Sequence, residues 1–157
     1  MKKTICAILF AMLPVAIQAQ TDNDSITQHL DFMGVSMEGN IDDFTQRMQH
    51  RFRFKKRVRG ENQVIFEGSM FGYNVFAQAS YTRKTRTVYR MLITPKNINQ
   101  IAWVDSLTAR YGTPVETRQG LLFQRPGGMI LYYTPEGYDT ALIYLDAKGN
   151  EAFTEEK

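Results

Sequence analysis

His29 and His50 are the only two imidazoles in this 157-residue chain. A zinc centre takes three or four nitrogen, sulfur or carboxylate ligands. His29 stands near Asp31, and no third ligand follows at a usable spacing. Both histidines therefore read as ordinary polar or partly buried side chains, and no metal or cofactor is expected. Asp42 with Asp43, and Glu136 with Asp139, are the nearest carboxylate pairs for acid–base work. The first pair sits where a helix start would favour negative charge. The second flanks a glycine turn. Ser25, Ser36, Ser69, Ser80 and Ser106 lack the Gly-x-Ser-x-Gly elbow and a paired histidine. The glycines at 68, 72, 127 and 128 fall between strands, where hairpin turns form, and not at a strand-to-helix phosphate loop. No catalytic residue is assigned, and the chain reads as non-enzymatic.

Recognition is the chemistry that remains. Arg51, Arg53, Lys55, Arg57 and Arg59 alternate with Phe52, Phe54, Lys56 and Val58. A period of two predicts a strand with one basic face. At a rise of roughly 3.3 Å per residue the strip would run about 27 Å. Arg83, Lys84, Arg86 and Arg90 would extend it if the following strands form a meander. Guanidinium groups grip carboxylates and phosphates with two prongs. Tyr73 and Tyr81 would add flat apolar contact. The candidate ligand-binding set is thus Arg51, Arg53, Lys55, Arg57, Arg59, Tyr73 and Tyr81. The bland alternative is a solvated face balanced by acids such as Glu61 and Glu67.

The compartment narrows the ligand. Lys2 and Lys3, the apolar run from Ile5 to Ile17, and Ala19 before a polar stretch describe a cleavable export signal over residues 1–19. Its removal would leave 138 residues, 17 basic and 16 acidic side chains, and no cysteine, because Cys6 lies inside the signal. A near-neutral, exported chain is a poor nucleic-acid binder. It can form no disulfide and no thiolate metal site. No later stretch reaches about 20 apolar residues, so no transmembrane segment is expected after cleavage. The expected location is the periplasm or the exterior.

These residues must be held by a core. Nine Phe, eight Tyr and one Trp remain after the signal, enough for one ordinary domain. Residues 20–36 read as a flexible leader, 37–153 as the domain and 154–157 as a frayed tail. Asn40 caps a helix carrying Ile41, Phe44 and Met48. Strands follow at 51–59, 63–67, 73–81 and 87–94. Asn97 or Asn99 caps a second helix carrying Ile101, Val104, Leu107 and Tyr111, ended by Gly112 and Pro114. Four more strands are read at 115–118, 121–124, 129–134 and 138–145, with a turn at Lys148-Gly149-Asn150. Helix and four strands thus occur twice, in halves of about 40–95 and 96–153. Asn40/Asn97, Val58/Val115 and Phe66/Phe123 recur at an offset of 57 residues. The fold class is α+β: two helices on one face of an antiparallel sheet, built as a tandem α-β4 repeat.

That plan resembles the beta-lactamase-inhibitor-protein-like fold. The signal followed by Gln20, the stretch His29 to Val35, Ile41-Asp42-Asp43-Phe44, and Trp103 followed by Tyr111-Gly112-Thr113-Pro114 resemble small exported proteins of Bacteroidetes-type bacteria. The resemblance implies a periplasmic or outer-surface module and names no activity. No inhibitory motif carries over, and a cysteine-free mature chain departs from the disulfide-bearing inhibitors. The expected function is an exported module that binds an envelope protein or an anionic glycan through a sheet face. The alternatives are a small envelope carbohydrate hydrolase or lyase, and an accessory subunit of an envelope complex.

Overall fold

The computed structural model describes residues 28–134 and 140–157. The expected export signal at residues 1–19, residues 20–27 of the expected leader, and Glu136 and Asp139 lie outside the described residues. The rest of the leader belongs to the fold. β1 (Asp31–Phe32) and β2 (Val35–Ser36) form a small hairpin. Met33 and Gly34 turn it with positive φ, and Asp31 Oδ2 accepts the Gly34 N–H at 2.8 Å. Leu30, Phe32 and Val35 are buried in the main core. Three apolar side chains at this spacing place the segment inside the domain.

α1 (Ile41–Phe52) starts at Asn40, whose side chain accepts from the Asp42 and Asp43 amides. Its buried stripe is Ile41, Phe44, Thr45 and Met48. The helix runs further than the basic alternation predicts. Phe52 lies one turn past Met48 and meets Phe32 edge-on at 5.7 Å, so it serves the helical stripe. Arg51 is therefore helical. Arg53 is the left-handed cap, its N–H bonded to the Gln49 carbonyl.

β3 (Lys55–Gly60), β4 (Gln63–Met70), β5 (Tyr73–Tyr81) and β6 (Val88–Pro95) form an antiparallel meander. α2 (Gln100–Tyr111) follows, capped by Asn99. β7 (Val115–Thr117), β8 (Gly120–Arg125), β9 (Gly128–Tyr133) and β10 (Ala141–Asp146) form a second meander. β10 pairs with β6, giving one eight-stranded antiparallel sheet of order β3-β4-β5-β6-β10-β9-β8-β7.

A third helix, α3 (Ala147–Glu155), replaces the turn read at Lys148–Asn150 and takes in the first half of the tail read as frayed. Asp146 is fully buried and caps it, accepting the Gly149 N–H at 2.7 Å. Residue 149 must be glycine because a side chain there would strike the backbone of the neighbouring strand, 2.2 Å from the Val88 carbonyl oxygen. Phe153 stacks on Tyr89 at 4.3 Å. The protein is thus α+β, with three helices and a large antiparallel sheet among the described residues.

The main core joins Ile41, Phe44 and Met48 of α1 and Trp103, Leu107 and Tyr111 of α2 to Phe66, Ala77, Ile93, Phe123 and Tyr144 of the sheet. Gly68 is needed here: a Cβ would sit 1.4 Å from the Phe54 ring, which lies across β4. Trp103 is boxed edge-on by Phe71 and Tyr73 at 5.4 and 5.8 Å. The Tyr111 and Tyr144 hydroxyls share a hydrogen bond at 2.8 Å. Burial raises the pKa of both phenols, Tyr144 well above its ordinary value, so the pair is neutral.

Candidate functional site

The basic strip does not form one face. β3 pairs Lys55 with Glu67 and Lys56 with Phe66, then slips, so that Val58 faces Ile65 and Arg59 faces Val64. The register shift at Arg57 is a bulge. Residues opposite one another share a face. Lys55 therefore lies on the side of Glu67, while Arg59 lies on the side of the buried Val64. Arg51 and Arg53 belong to the end of α1.

The structure also divides these cations by partner. Arg57 Nε donates to Glu67 Oε2 at 2.6 Å. Arg59 stands 3.2 Å from Asp42, and Arg86 reaches the other oxygen of the same carboxylate at 2.6 Å. A hydrogen bond with Tyr81 raises the Arg59 pKa; partial desolvation opposes this, and the charge of Asp42 adds to it. Arg51, Arg53, Lys55 and Lys56 make no ion pair among the described residues. The free positive charge is thus concentrated where α1 ends and β3 begins. The two tyrosines are not flat outer contacts. Tyr73 packs on Trp103, and Tyr81 is buried, with Arg86 over its ring at 5.4 Å.

Asp42 is held by two guanidiniums, and Asp43 accepts from the Asn40 side chain at 3.1 Å. Each carboxylate therefore has a structural duty. His29 pairs with Asp146, not with Asp31: Nδ1 lies 2.8 Å from Oδ2. Among the described residues no group of three or more His, Cys, Asp or Glu side chains could hold a metal ion. No helix among them is long and apolar enough to cross a membrane.

The surface that sequence reasoning missed is the sheet face turned away from the main core. Register places Ile65, Gln78, Leu92, Ile143, Leu131, Leu122 and Val115 opposite one another across seven strands. Six of the seven are apolar. Ile65, Leu92, Leu122 and Ile143 are half-buried and Val115 is 55% exposed. Met129, Leu131 and Leu145 form a second, smaller apolar cluster with Leu122, Tyr133 and Ile143 on this side. On the β4–β6 half, Ile65, Phe76, Gln78, Leu92 and Thr94 line a shallow hollow of about 300 Å³. Phe76 is 37% exposed, and the Lys96 ammonium sits 3.8 Å above its ring. The alternation in β5 and β6 carried this signal, because Phe76 and Gln78 of β5, and Leu92 and Thr94 of β6 beside a single Arg90, leave this face largely uncharged. A sheet with one solvated face alternates more cleanly between apolar and polar.

Comparison with protein-family models, with curated proteins and with solved structures finds no match to this chain.

Proposed function

We propose that this chain is an exported, non-enzymatic binding module that recognises a protein partner through the open face of its sheet. The observation that carries this reading is the apolar row from Ile65 to Val115, half-buried at most of its positions, buried at Leu131, exposed at Val115 and hollowed beside Phe76. Contiguous exposed apolar surface is costly in water and marks interaction sites. Strands supply a rigid backing, so little ordering is lost on docking. The duties of Asp42 and Asp43 at the start of α1 support binding over acid–base chemistry. Export rests on the charged, apolar and small-residue pattern of residues 1–19.

The same reading treats the domain as two related halves, with α1 and α2 on the core side of the sheet. The pairing register supports it. Val58 faces Ile65 as Val115 faces Leu122, and Gly60 faces Gln63 as Thr117 faces Gly120, all at an offset of 57 residues. Each meander follows a 12-residue helix capped by asparagine. The two meet through their last strands, as a two-fold arrangement would have it.

The test is site-specific photocrosslinking in living cells. A photoreactive residue at Gln78, in the middle of the row, is expected to trap a discrete protein adduct. The same residue at Gln119, in the β7–β8 turn, is expected to trap none. Leu92→Asp should abolish the Gln78 adduct while the purified variant keeps its fold by circular dichroism. Equal labelling from both positions, or an adduct that survives in the folded Leu92→Asp variant, would refute the sheet face.

A further inference from the structure

A groove of about 500 Å³ runs between β2 and α1, lined chiefly by Val35, Ser36, Gln46, Arg47, His50 and Arg51. It lies on the hairpin and helix, apart from the open sheet face. Arg47, His50 and Arg51 stand at i, i+3 and i+4, so they share one side of the helix. Arg47 is fixed in place. Its Nη2 donates to the Ser36 carbonyl at 3.2 Å and to the Glu38 carbonyl, and its buried Nε has no hydrogen-bond partner among the described residues. None of the three has a carboxylate at ion-pair distance there. Arg57, Arg59, Arg83 and Arg86 each do. A third guanidinium borders the hairpin tip: a Cβ on Gly34 would stand 3.9 Å from an Arg110 nitrogen.

The helix dipole accounts for His50 and Arg51 in the last turn of α1. It does not account for Arg47, which is farther from the end. Like charges at these spacings weaken a helix. Two guanidiniums one turn apart, neither facing a carboxylate among the described residues, leave positive charge along the groove for an anion to meet.

We propose that this groove binds a small organic anion carrying two or more carboxylates, as acidic sugars do. Arg47 Nη2 is spent on the Ser36 and Glu38 carbonyls and fixes the groove wall, and Arg51 supplies the accessible guanidinium with the His50 ring beside it. Ser36 and Gln46 add neutral hydrogen-bonding groups, and Val35 gives an apolar contact for the carbon frame. The volume falls within the range of small-molecule sites.

Isothermal titration of the purified protein with a diuronic acid, with citrate and with a neutral disaccharide tests the proposal. Both polycarboxylates are expected to bind, more weakly as salt rises, and the neutral sugar is expected not to bind. Arg51→Glu should lower their affinity at least about tenfold while the variant keeps its fold by circular dichroism. Arg118→Glu, exposed in the β7–β8 turn, should bind as the parent does. Failure of both polycarboxylates to bind at millimolar concentration, equal binding of the neutral sugar, or unchanged affinity in Arg51→Glu would overturn it. None of these outcomes bears on crosslinking from Gln78, so the two surfaces stand or fall separately.

Discussion

At the scale of single residues, the backbone amides decide what several carboxylates do. Glu156, just past α3, accepts the Lys84 and Thr85 N–H groups at 2.8 and 2.9 Å and the Thr85 hydroxyl at 3.0 Å. Desolvation pushes its carboxyl up, but these donors together outweigh it and bring the pKa down to about 2 from an ordinary 4.5. A lowered pKa means that the folded state prefers the ionised form. The contribution is whole above about pH 4.5 and is lost as pH falls toward 2. Two-dimensional NMR of the side-chain carboxyl should show Glu156 titrating near the bottom of that window. Glu156→Gln should flatten this part of the stability curve. A midpoint near 4.5 would mean that the contact with the β5–β6 hairpin does not persist in solution. The tail beyond Phe153 reads as frayed in sequence because Glu156 finds its donors 71 and 72 positions away.

At the scale of elements, what the sequence revealed depended on how many periods a segment satisfied. Tyr73–Tyr81 is legible to the residue, because Val75, Ala77 and Ala79 alternate strictly and Gly72 bounds them. Arg51–Arg59 is not, because Phe52 fits a strand with Phe54 and a helix with Met48. Packing against Phe32 settled it as helix. The Lys148–Asn150 stretch has the composition of a turn; the Asp146 cap starts a helix there, and the glycine at 149 lets that helix lie against the Val88 carbonyl. Of the candidate site, Arg51 was visible as a cation. Its groove was not, because it exists only once β2 lies against α1.

The same element explains what the remaining cations do for the sheet. β3 is an edge strand, and Lys55, Lys56, Arg57 and Arg59 are all exposed on it. Edge strands with unpaired backbone groups template aggregation, and lysines, arginines and bulges blunt them. The opposite edge, β7, is protected by being only three residues long. Replacing Lys55, Lys56 and Arg57 with threonine should therefore increase light scattering on mild heating. The melting temperature should fall little, since only the exposed Arg57–Glu67 pair is lost, worth at most about 1 kcal/mol. Scattering identical to the parent would show that the bulge alone protects this edge.

At the scale of the whole molecule, the two ends of the described chain are tied at one buried carboxylate. Asp146 accepts the Leu30 N–H at 2.6 Å, the Gly149 N–H at 2.7 Å and the His29 ring at 2.8 Å. One side chain thus joins the entry strand, the last sheet strand and the third helix, across 116 and 117 residues of sequence. Leu30 anchors one end in the core, and Ala147 is buried at the other. Without cysteine after residue 6, this hydrogen-bonded knot does what a cross-link would do elsewhere. Asp146→Ala leaves two buried N–H groups without acceptors and removes the cap of α3, a loss of about 2–4 kcal/mol. His29→Ala removes one half-buried contact and should cost less, about 1 kcal/mol. Urea unfolding measures both. Hydrogen exchange supplies the sharper readout: the Leu30 and Gly149 amides should lose protection together in Asp146→Ala, while amides in the middle of β5 change only with global stability. If Gly149 exchanges faster and Leu30 does not, Asp146 is only a local cap and the segment at Leu30 is held by its core side chains alone.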